Sequence, residues 1–126
     1  MTMATIKAYT DLEQSKKLAE ILPIESADMY WWYSGRRYYI EAIDDGDFNE
    51  KGDIRAWSLA ALIEILPEII HIKDWENYII CIGKDSICYK RKEDVLSQTI
   101  LHESRGTNLV DACYEMILKL NKLNLL

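Results

Sequence analysis

The stretch "ADMYWWYSGRRYYIEAI" (residues 27–43) has the composition of a β-hairpin. Aromatic residues are enriched in strands, and here they lie on both sides of Ser34-Gly35, a pair that is typical of turns. Because side chains alternate along a strand, Tyr30 and Trp32 fall on one face and their neighbours on the other. We therefore expect an aromatic hairpin over residues 28–43, with large rings on both of its faces.

A helix is predicted on the N-terminal side of this hairpin. Thr10 and Glu13 form the capping-box pattern T-x-x-E, in which each side chain bonds to the main chain of the other residue. Apolar residues then recur near helical spacing until Pro23, which disfavours the helical state at the residue before it. The predicted first helix therefore begins after Thr10 and ends at Leu22.

A second helix is predicted after the polar stretch "DDGDFNEKGD" (residues 44–53). Asp53 fits the N-cap position, and the segment "IRAWSLAALIEIL" (residues 54–66) is apolar nearly all round. A helix with this pattern is buried on most sides. We expect the Trp57 ring in the core and the Ser58 hydroxyl bonded back to its own helical turn.

Strands are predicted in the C-terminal half of the chain. The segment "EIIHIKDWENYIICI" (residues 68–82) predicts a short strand and then a longer one, and "SICYK" (residues 86–90) predicts the returning strand. If the turn between them is centred on Lys84-Asp85, Cys81 lies directly opposite Cys88. We expect this pair to pack as two opposed thiols on one face of the sheet.

The remaining elements complete the predicted fold. A further strand is predicted over residues 97–103, and a last helix follows with Thr107 or Asn108 as its N-cap. Short turns imply antiparallel pairing, and helices that alternate with hairpins favour one sheet with helices on a face. The sequence thus predicts a single α+β domain over residues 1–126. It has an antiparallel sheet of four to five strands and three helices, in the order α-β-β-α-β-β-(β)-α.

The tetrapeptide "EILP" occurs twice, at residues 20–23 and again at residues 64–67. A tryptophan follows each proline at the same distance, Trp31 in the first case and Trp75 in the second. The two halves match at few other positions, whereas a duplicated unit preserves more of its strand residues and loop lengths. The pattern therefore favours a repeated local architecture, with no repeated function.

Composition and charge restrict the class of protein. The 126 residues fit one domain, and the net charge of −6 argues against non-specific binding to nucleic acid. The longest apolar run, residues 56–66, is shorter than a membrane span, and no secretion signal is evident at the N-terminus. Three cysteines without such a signal argue against a disulfide framework. We expect a soluble cytoplasmic protein.

No catalytic, cofactor-binding or metal-binding residue is predicted. The nearest approach to a metal motif is a partial calcium loop, in which Asp45, Asp47 and Asn49 occupy the first, third and fifth positions. The required glycine and glutamate are replaced by Glu50 and Ala56, so the cage cannot close. The cysteines and the two histidines lack the spacing of a zinc site. The pattern favours a protein without a cofactor that is not an enzyme.

The aromatic hairpin is the candidate functional region. Tryptophan, tyrosine and arginine are enriched at binding hot spots, and five hairpin residues of these types are the predicted interaction residues: Tyr30, Trp32, Arg36, Arg37 and Tyr39. A covering helix over the second face of the hairpin is the competing explanation, and the sequence leaves both open.

Three functions are consistent with this composition. The favoured one is a non-catalytic interaction module that associates with itself or another protein through residues 28–43. The alternative is a small-molecule-binding protein or an enzyme with a pocket between the sheet and the helices. Binding of single-stranded nucleic acid, with bases stacked on Trp31 or Trp32 beside Arg36 and Arg37, is a weaker alternative because the chain is acidic.

Three stretches resemble a family of small uncharacterised bacterial proteins, of the kind encoded by gut anaerobes and their mobile elements. They are "SKKLAEILPIESADMYW", "AWSLAALIEILP" and "NLVDACYEMILKLNKLNLL". The resemblance covers the predicted helices and the start of the hairpin, roughly half of the chain. It implies a bacterial cytoplasmic setting. The family has no assigned activity, so the resemblance transfers no site residue.

Overall fold

The computed structural model describes residues 7–43, 52–73, 76–91 and 100–126, and within them the predicted α+β class is confirmed. The helices of this part are α1 (Leu12–Ala19), α2 (Leu59–Ile65) and α3 (Leu109–Lys122). Its strands are β1 (Met29–Tyr33), β2 (Tyr38–Ala42), β3 (Ile54–Ala56), β4 (Ile69–Lys73), β5 (Glu76–Ile82), β6 (Ser86–Arg91) and β7 (Ile100–Arg105). The candidate calcium loop and Trp75 lie outside the described residues.

The strands form two antiparallel sheets, where the sequence predicted one sheet of four to five strands. The first has the order β2-β1-β3 and contains the aromatic hairpin, and the second has the order β4-β5-β6-β7. The predicted further strand is present as β7, which pairs with β6. Strand β3 adds a third strand to the aromatic hairpin by pairing with β1, with Met29 opposite Ala56 and Trp31 opposite Ile54.

The start of the second helix was predicted wrongly. Residues 54–56 form β3, and α2 begins at Leu59 with Ser58 as its N-cap. The main-chain N–H and the hydroxyl of Ser58 both donate to the carboxylate of Asp28, just before β1. Pairing with distant residues thus overrides the helical pattern of this segment, because local preference is weaker than tertiary contacts. Ser58 is therefore a cap residue, and the predicted bond to its own buried turn is not its role.

The first helix begins one residue later than predicted. Its capping box joins Asp11 and Gln14, with the Gln14 N–H 2.8 Å from Asp11 Oδ1 and the Asp11 N–H 3.2 Å from Gln14 Oε1. Thr10 is buried, and its hydroxyl is used elsewhere: it pairs with the Ser15 hydroxyl and accepts from the main-chain N–H of Trp57. The helix also ends before the first "EILP", whereas α2 extends to Ile65 inside the second, so the two copies differ in conformation.

One hydrophobic core joins all three helices to the inner face of the four-stranded sheet. Helix α3 faces this core with residues spaced three and four apart, the period of one helix face. Its fully buried residues are Val110, Ala112, Cys113, Met116, Ile117 and Leu120. Ile87 and Tyr89 of β6 and Trp57 are also fully buried, which confirms the predicted core position of Trp57.

The predicted register of the second hairpin is confirmed. Cys81 lies directly opposite Cys88, and Ile82 lies opposite Ile87. Burial and the neighbouring Cys81 both raise the pKa of the Cys88 thiol. Burial also raises the pKa of Cys113 to about 11, so this thiol is a small apolar residue of the core.

A polar network ties the start of the chain to the first turn of α3. The ammonium of Lys7 lies 2.8 Å from Asp111 Oδ1 and 3.0 Å from Asp11 Oδ2, and the Gln14 amide donates to Asp111 Oδ1 at 2.9 Å. Burial alone would raise the pKa of Asp111, but the hydrogen bonds from Lys7 and Gln14 outweigh it and the pKa is lowered. The ionised carboxylate therefore stabilises the folded state.

Replacing Trp57 by alanine should strongly destabilise the fold. The side chain is fully buried, and removal of a buried large aromatic ring costs about 3–5 kcal/mol in the free energy of unfolding. The measurement is urea unfolding, with Glu64→Ala at an exposed position of α2 as the control. A loss below about 1 kcal/mol, the range of surface substitutions, would contradict the core position of Trp57.

Thiol counting tests the redox state of the opposed cysteines. Opposed residues in an antiparallel pair have Cα atoms about 4.5–5.5 Å apart, which is within the range of a disulfide. A reducing cytoplasm should nevertheless keep the pair as thiols. We expect three free thiols in the denatured, unreduced protein purified from such a compartment, and a count of one would reveal a bridge.

Asp111→Asn should remove a pH-dependent part of the stability. Because the folded pKa lies below the ordinary 3.8, the contribution is present above that pH and is lost as pH falls through the lowered pKa. At pH 7 we expect the free energy of unfolding of the variant to be about 1–2 kcal/mol lower than that of the wild type, and we expect this difference to shrink in acid. Glu115→Gln, an exposed carboxylate one turn later, is the control. A difference that stays constant from neutral to acid pH would show that the ion pair is not its cause.

Candidate interaction surface

The aromatic hairpin is a regular two-stranded unit whose far end extends beyond the rest of its sheet. Its register pairs Trp32 with Tyr39 and Tyr33 with Tyr38, and the Ser34 N–H donates to the Arg37 carbonyl at 3.0 Å. Gly35 occupies the turn with φ of 96°, a conformation that side chains rarely adopt. Strand β3 pairs with β1 only from Met29 to Trp31. From Trp32 to Tyr39, which we call the far end of the hairpin, β1 and β2 pair only with each other among the described residues.

Three of the predicted interaction residues form a stack on one face. The rings of Trp32 and Tyr39 lie 4.9 Å apart with planes 23° apart, and the Arg37 guanidinium lies 4.3 Å from the centre of the Tyr39 ring. Stacked aromatic pairs contribute about 0.5–1.5 kcal/mol beyond burial, and a cation over a ring adds about 0.5–1 kcal/mol at an exposed site. These contacts restrict the conformations of the Trp32, Tyr39 and Arg37 side chains.

The indole N–H of Trp32 is buried and has no hydrogen-bond partner in the described part of the chain. A buried tryptophan N–H usually finds an acceptor, and leaving a donor unsatisfied costs about 1–3 kcal/mol. The orientation of Trp32 is therefore set by packing, chiefly by its stack with Tyr39.

The other two predicted interaction residues occupy different environments. Tyr30 is only 4% exposed, so it cannot supply contact area and does not belong to the surface that the sequence suggested. Its hydroxyl instead donates to Glu41 Oε2 at 3.0 Å, and so positions that carboxylate on the face of Trp32 and Tyr39. Arg36 is exposed in the loop at the tip.

The opposite face of the hairpin is attached at its base and exposed at its tip. The Trp31 ring meets Tyr9 edge-on at 5.7 Å, and its N–H donates to the Thr10 carbonyl at 3.2 Å. Beyond this anchor, Tyr33 and Tyr38 form a ring pair at 5.0 Å and are 55% and 37% exposed. Sequence reasoning missed these two tyrosines, although their distance from the base of the hairpin was a usable signal.

The outer edge of β2 is open in the described structure, because β2 pairs only with β1. The Ile43 N–H donates to the Asp28 carbonyl at one end of the β1–β2 ladder, and the Ser34 N–H donates to the Arg37 carbonyl at the other. Hydrogen-bonded pairs alternate along an antiparallel ladder, so Tyr39 bonds to β1 while its neighbours on the strand do not. The outward main-chain groups of β2 are those of Tyr38, Ile40 and Ala42.

The described part of the protein also has surface grooves, the kind of feature in which small molecules bind. A groove of about 460 Å³ between α1 and β3 is lined by Leu22, Ile24 and Ile54, with Lys16 and Arg55 at its sides. It is open to solvent and mainly apolar.

A polar cleft of about 550 Å³ lies at the first turn of α3. Several of its charged groups are already paired within the protein. Lys7 pairs with Asp111, and Arg105 Nε lies 2.8 Å from Glu103 Oε1. The Lys119 ammonium donates to the main-chain carbonyl of Glu103. No cluster of three or more metal-ligating side chains occurs among the described residues. Burial and the nearby Lys119 lower the pKa of His102, which favours the neutral imidazole.

Comparisons with known proteins give no independent indication of function. No helix of the described residues is long and apolar enough to cross a membrane. The resemblance to small bacterial proteins seen in the sequence stays a prediction. No protein-family model, curated protein or solved structure matches this chain.

Proposed function

We propose that this chain is a non-catalytic interaction module that self-associates through the far end of its aromatic hairpin, in a cytoplasmic setting. The observation that supports the proposal is the pre-formed stack of Trp32, Tyr39 and Arg37, next to the exposed pair of Tyr33 and Tyr38. Tryptophan, tyrosine and arginine dominate binding hot spots because they give large contact areas with few flexible bonds. Fixing them in advance lowers the entropy lost on binding.

The position of the stack supports a protein partner over a small molecule. The stack lies on the part of the β1–β2 pair that extends past β3, whereas small-molecule sites are concave and enclose most of the ligand. The apolar groove beside α1 is the place we consider for the alternative function, but it is open to solvent. A net charge of −6 also works against nucleic acid, because phosphate binding depends on a basic surface.

Trp32→Glu or Tyr39→Glu should convert a concentration-dependent dimer into a folded monomer. Each change places a charge among rings that would be desolvated at the contact, and loss of one hot-spot residue costs about 2 kcal/mol or more. The measurement is light scattering after size-exclusion chromatography, with circular dichroism to verify folding. Ile82→Glu, which adds the same charge at an exposed apolar position of the other sheet, is the control.

The proposal fails if the wild-type chain is monomeric at the highest concentration measured, up to about 1 mM, since a weaker contact would be negligible. It also fails if Ile82→Glu disrupts the dimer as strongly as the hairpin variants do.

A further inference from the structure

We infer that the partner is a second copy of the chain, and that the two copies join edge to edge through β2. In this pairing the strands are antiparallel about a two-fold axis at Tyr39, so that Arg37 of each chain lies opposite Glu41 of the other. The inference rests on the proposed function and specifies its geometry.

The main-chain edge supplies the first argument. An unpaired strand edge presents N–H and C=O groups that another strand can bind, and natural proteins usually cover such an edge. The outward groups of β2 belong to Tyr38, Ile40 and Ala42, and no described strand pairs with them. An antiparallel partner strand must therefore form its hydrogen-bonded pairs with these residues.

The side chains of β2 and of Arg37, the residue just before it, supply the second argument, because they form a self-complementary row. Arg37, Tyr39 and Glu41 alternate along the chain on one face, in the order positive, aromatic, negative. Reversing the strand reverses the order, so a second copy in antiparallel orientation presents the opposite charge at each end. A two-fold contact requires this kind of self-complementarity.

The hydrogen-bonding pattern selects between neighbouring registers. With the axis at Tyr39, the hydrogen-bonded pairs join Tyr38 to Ile40, and the side chains of Arg37 and Glu41 oppose each other in non-hydrogen-bonded pairs. Such pairs bring side chains closest together, with Cα atoms about 4.5 Å apart. With the axis at Ile40, Tyr39 would oppose Glu41, and with the axis at Tyr38, Arg37 would oppose Tyr39. The register at Tyr39 is thus the one of these three that matches opposite charges.

The monomer already holds these side chains in place for that register. Arg37 and Glu41 are both exposed. The Tyr30 hydroxyl holds Glu41 at 3.0 Å, and the Tyr39 ring holds Arg37 at 4.3 Å. Opposite charges on directly opposed strand positions stabilise a sheet, and like charges destabilise it. Because five-residue strands give a small interface, we expect a weak, reversible dimer.

Charge exchange tests the pairing directly. Arg37→Glu places a second carboxylate opposite Glu41 at both ends of the dimer contact, and Glu41→Arg places two guanidinium groups opposite each other at both ends. Each single variant should therefore dimerise at least about tenfold more weakly than the wild type. Mixing the two variants should restore dimers as a heterodimer, because both of its charge pairs are again opposite. The double variant Arg37→Glu/Glu41→Arg should restore the homodimer.

The matched control is Lys84→Glu, which makes the same change of charge at an exposed position between β5 and β6, in the other sheet. Residue 84 lies outside the inferred contact, so this variant should dimerise as the wild type does. The measurements are sedimentation equilibrium for each variant alone and for the equimolar mixture, with circular dichroism to verify folding. A loss of association caused only by misfolding would not be reversed by mixing.

Three results would overturn the inferred pairing while leaving the proposed function intact, provided that Trp32→Glu or Tyr39→Glu gives a monomer. They are single charge variants that remain dimeric, a mixture that fails to recover, and a Lys84→Glu variant as weak as Arg37→Glu. A wild-type chain that stays monomeric overturns both the pairing and the proposed function.

Discussion

The buried contact between Thr10 and Trp57 is the interaction on which the arrangement of the chain depends. The main-chain N–H of Thr10 donates to the Trp57 carbonyl at 2.9 Å, and the main-chain N–H of Trp57 donates to the Thr10 hydroxyl oxygen at 3.1 Å. The Thr10 carbonyl also accepts from the Trp31 ring. Buried polar groups require partners, so these bonds fix the start of α1, the base of the hairpin and the segment before α2 relative to one another.

This contact explains why two adjacent tryptophans have different roles. Trp31 points toward Thr10 and Tyr9 and fixes the base of the hairpin, whereas Trp32 points to the opposite face and stacks on Tyr39. Strand alternation makes this division unavoidable once one of the two rings is anchored. The firm base in turn allows the far end to extend past β3 with its rings in fixed positions.

Local patterns predicted most elements, and long-range contacts account for the errors. The hairpin at residues 28–43 and the opposition of Cys81 and Cys88 follow from strand and turn chemistry within a few residues. By contrast, β3 is three residues long and lies at the start of the segment whose pattern predicts a helix, so its strand state depends on a partner about 25 residues earlier. The capping shift from Thr10 to Asp11 has the same origin, because the Thr10 hydroxyl bonds to the distant Trp57 main chain and Asp11 caps the helix instead.

The sequence predicts which types of residue form the candidate surface, but it does not predict which of them are exposed. The sequence identifies the aromatic and arginine residues, and the row of Arg37, Tyr39 and Glu41 is visible at every second position. The burial of Tyr30 depends on how the sheet packs, which no local pattern specifies.

The network around Asp111 has a consequence for the order of events during synthesis. Lys7 and Gln14 leave the ribosome well before the carboxylate that both of them bind, which is about a hundred residues later in the chain. Until α3 has emerged, Lys7 and Gln14 lack this partner, and α2 lacks a helix against which it packs. Contacts of such large sequence separation form slowly, because a long loop must close before they can stabilise anything. The nascent chain therefore completes this core only after α3 has emerged, and until then the earlier segments expose aromatic and aliphatic side chains.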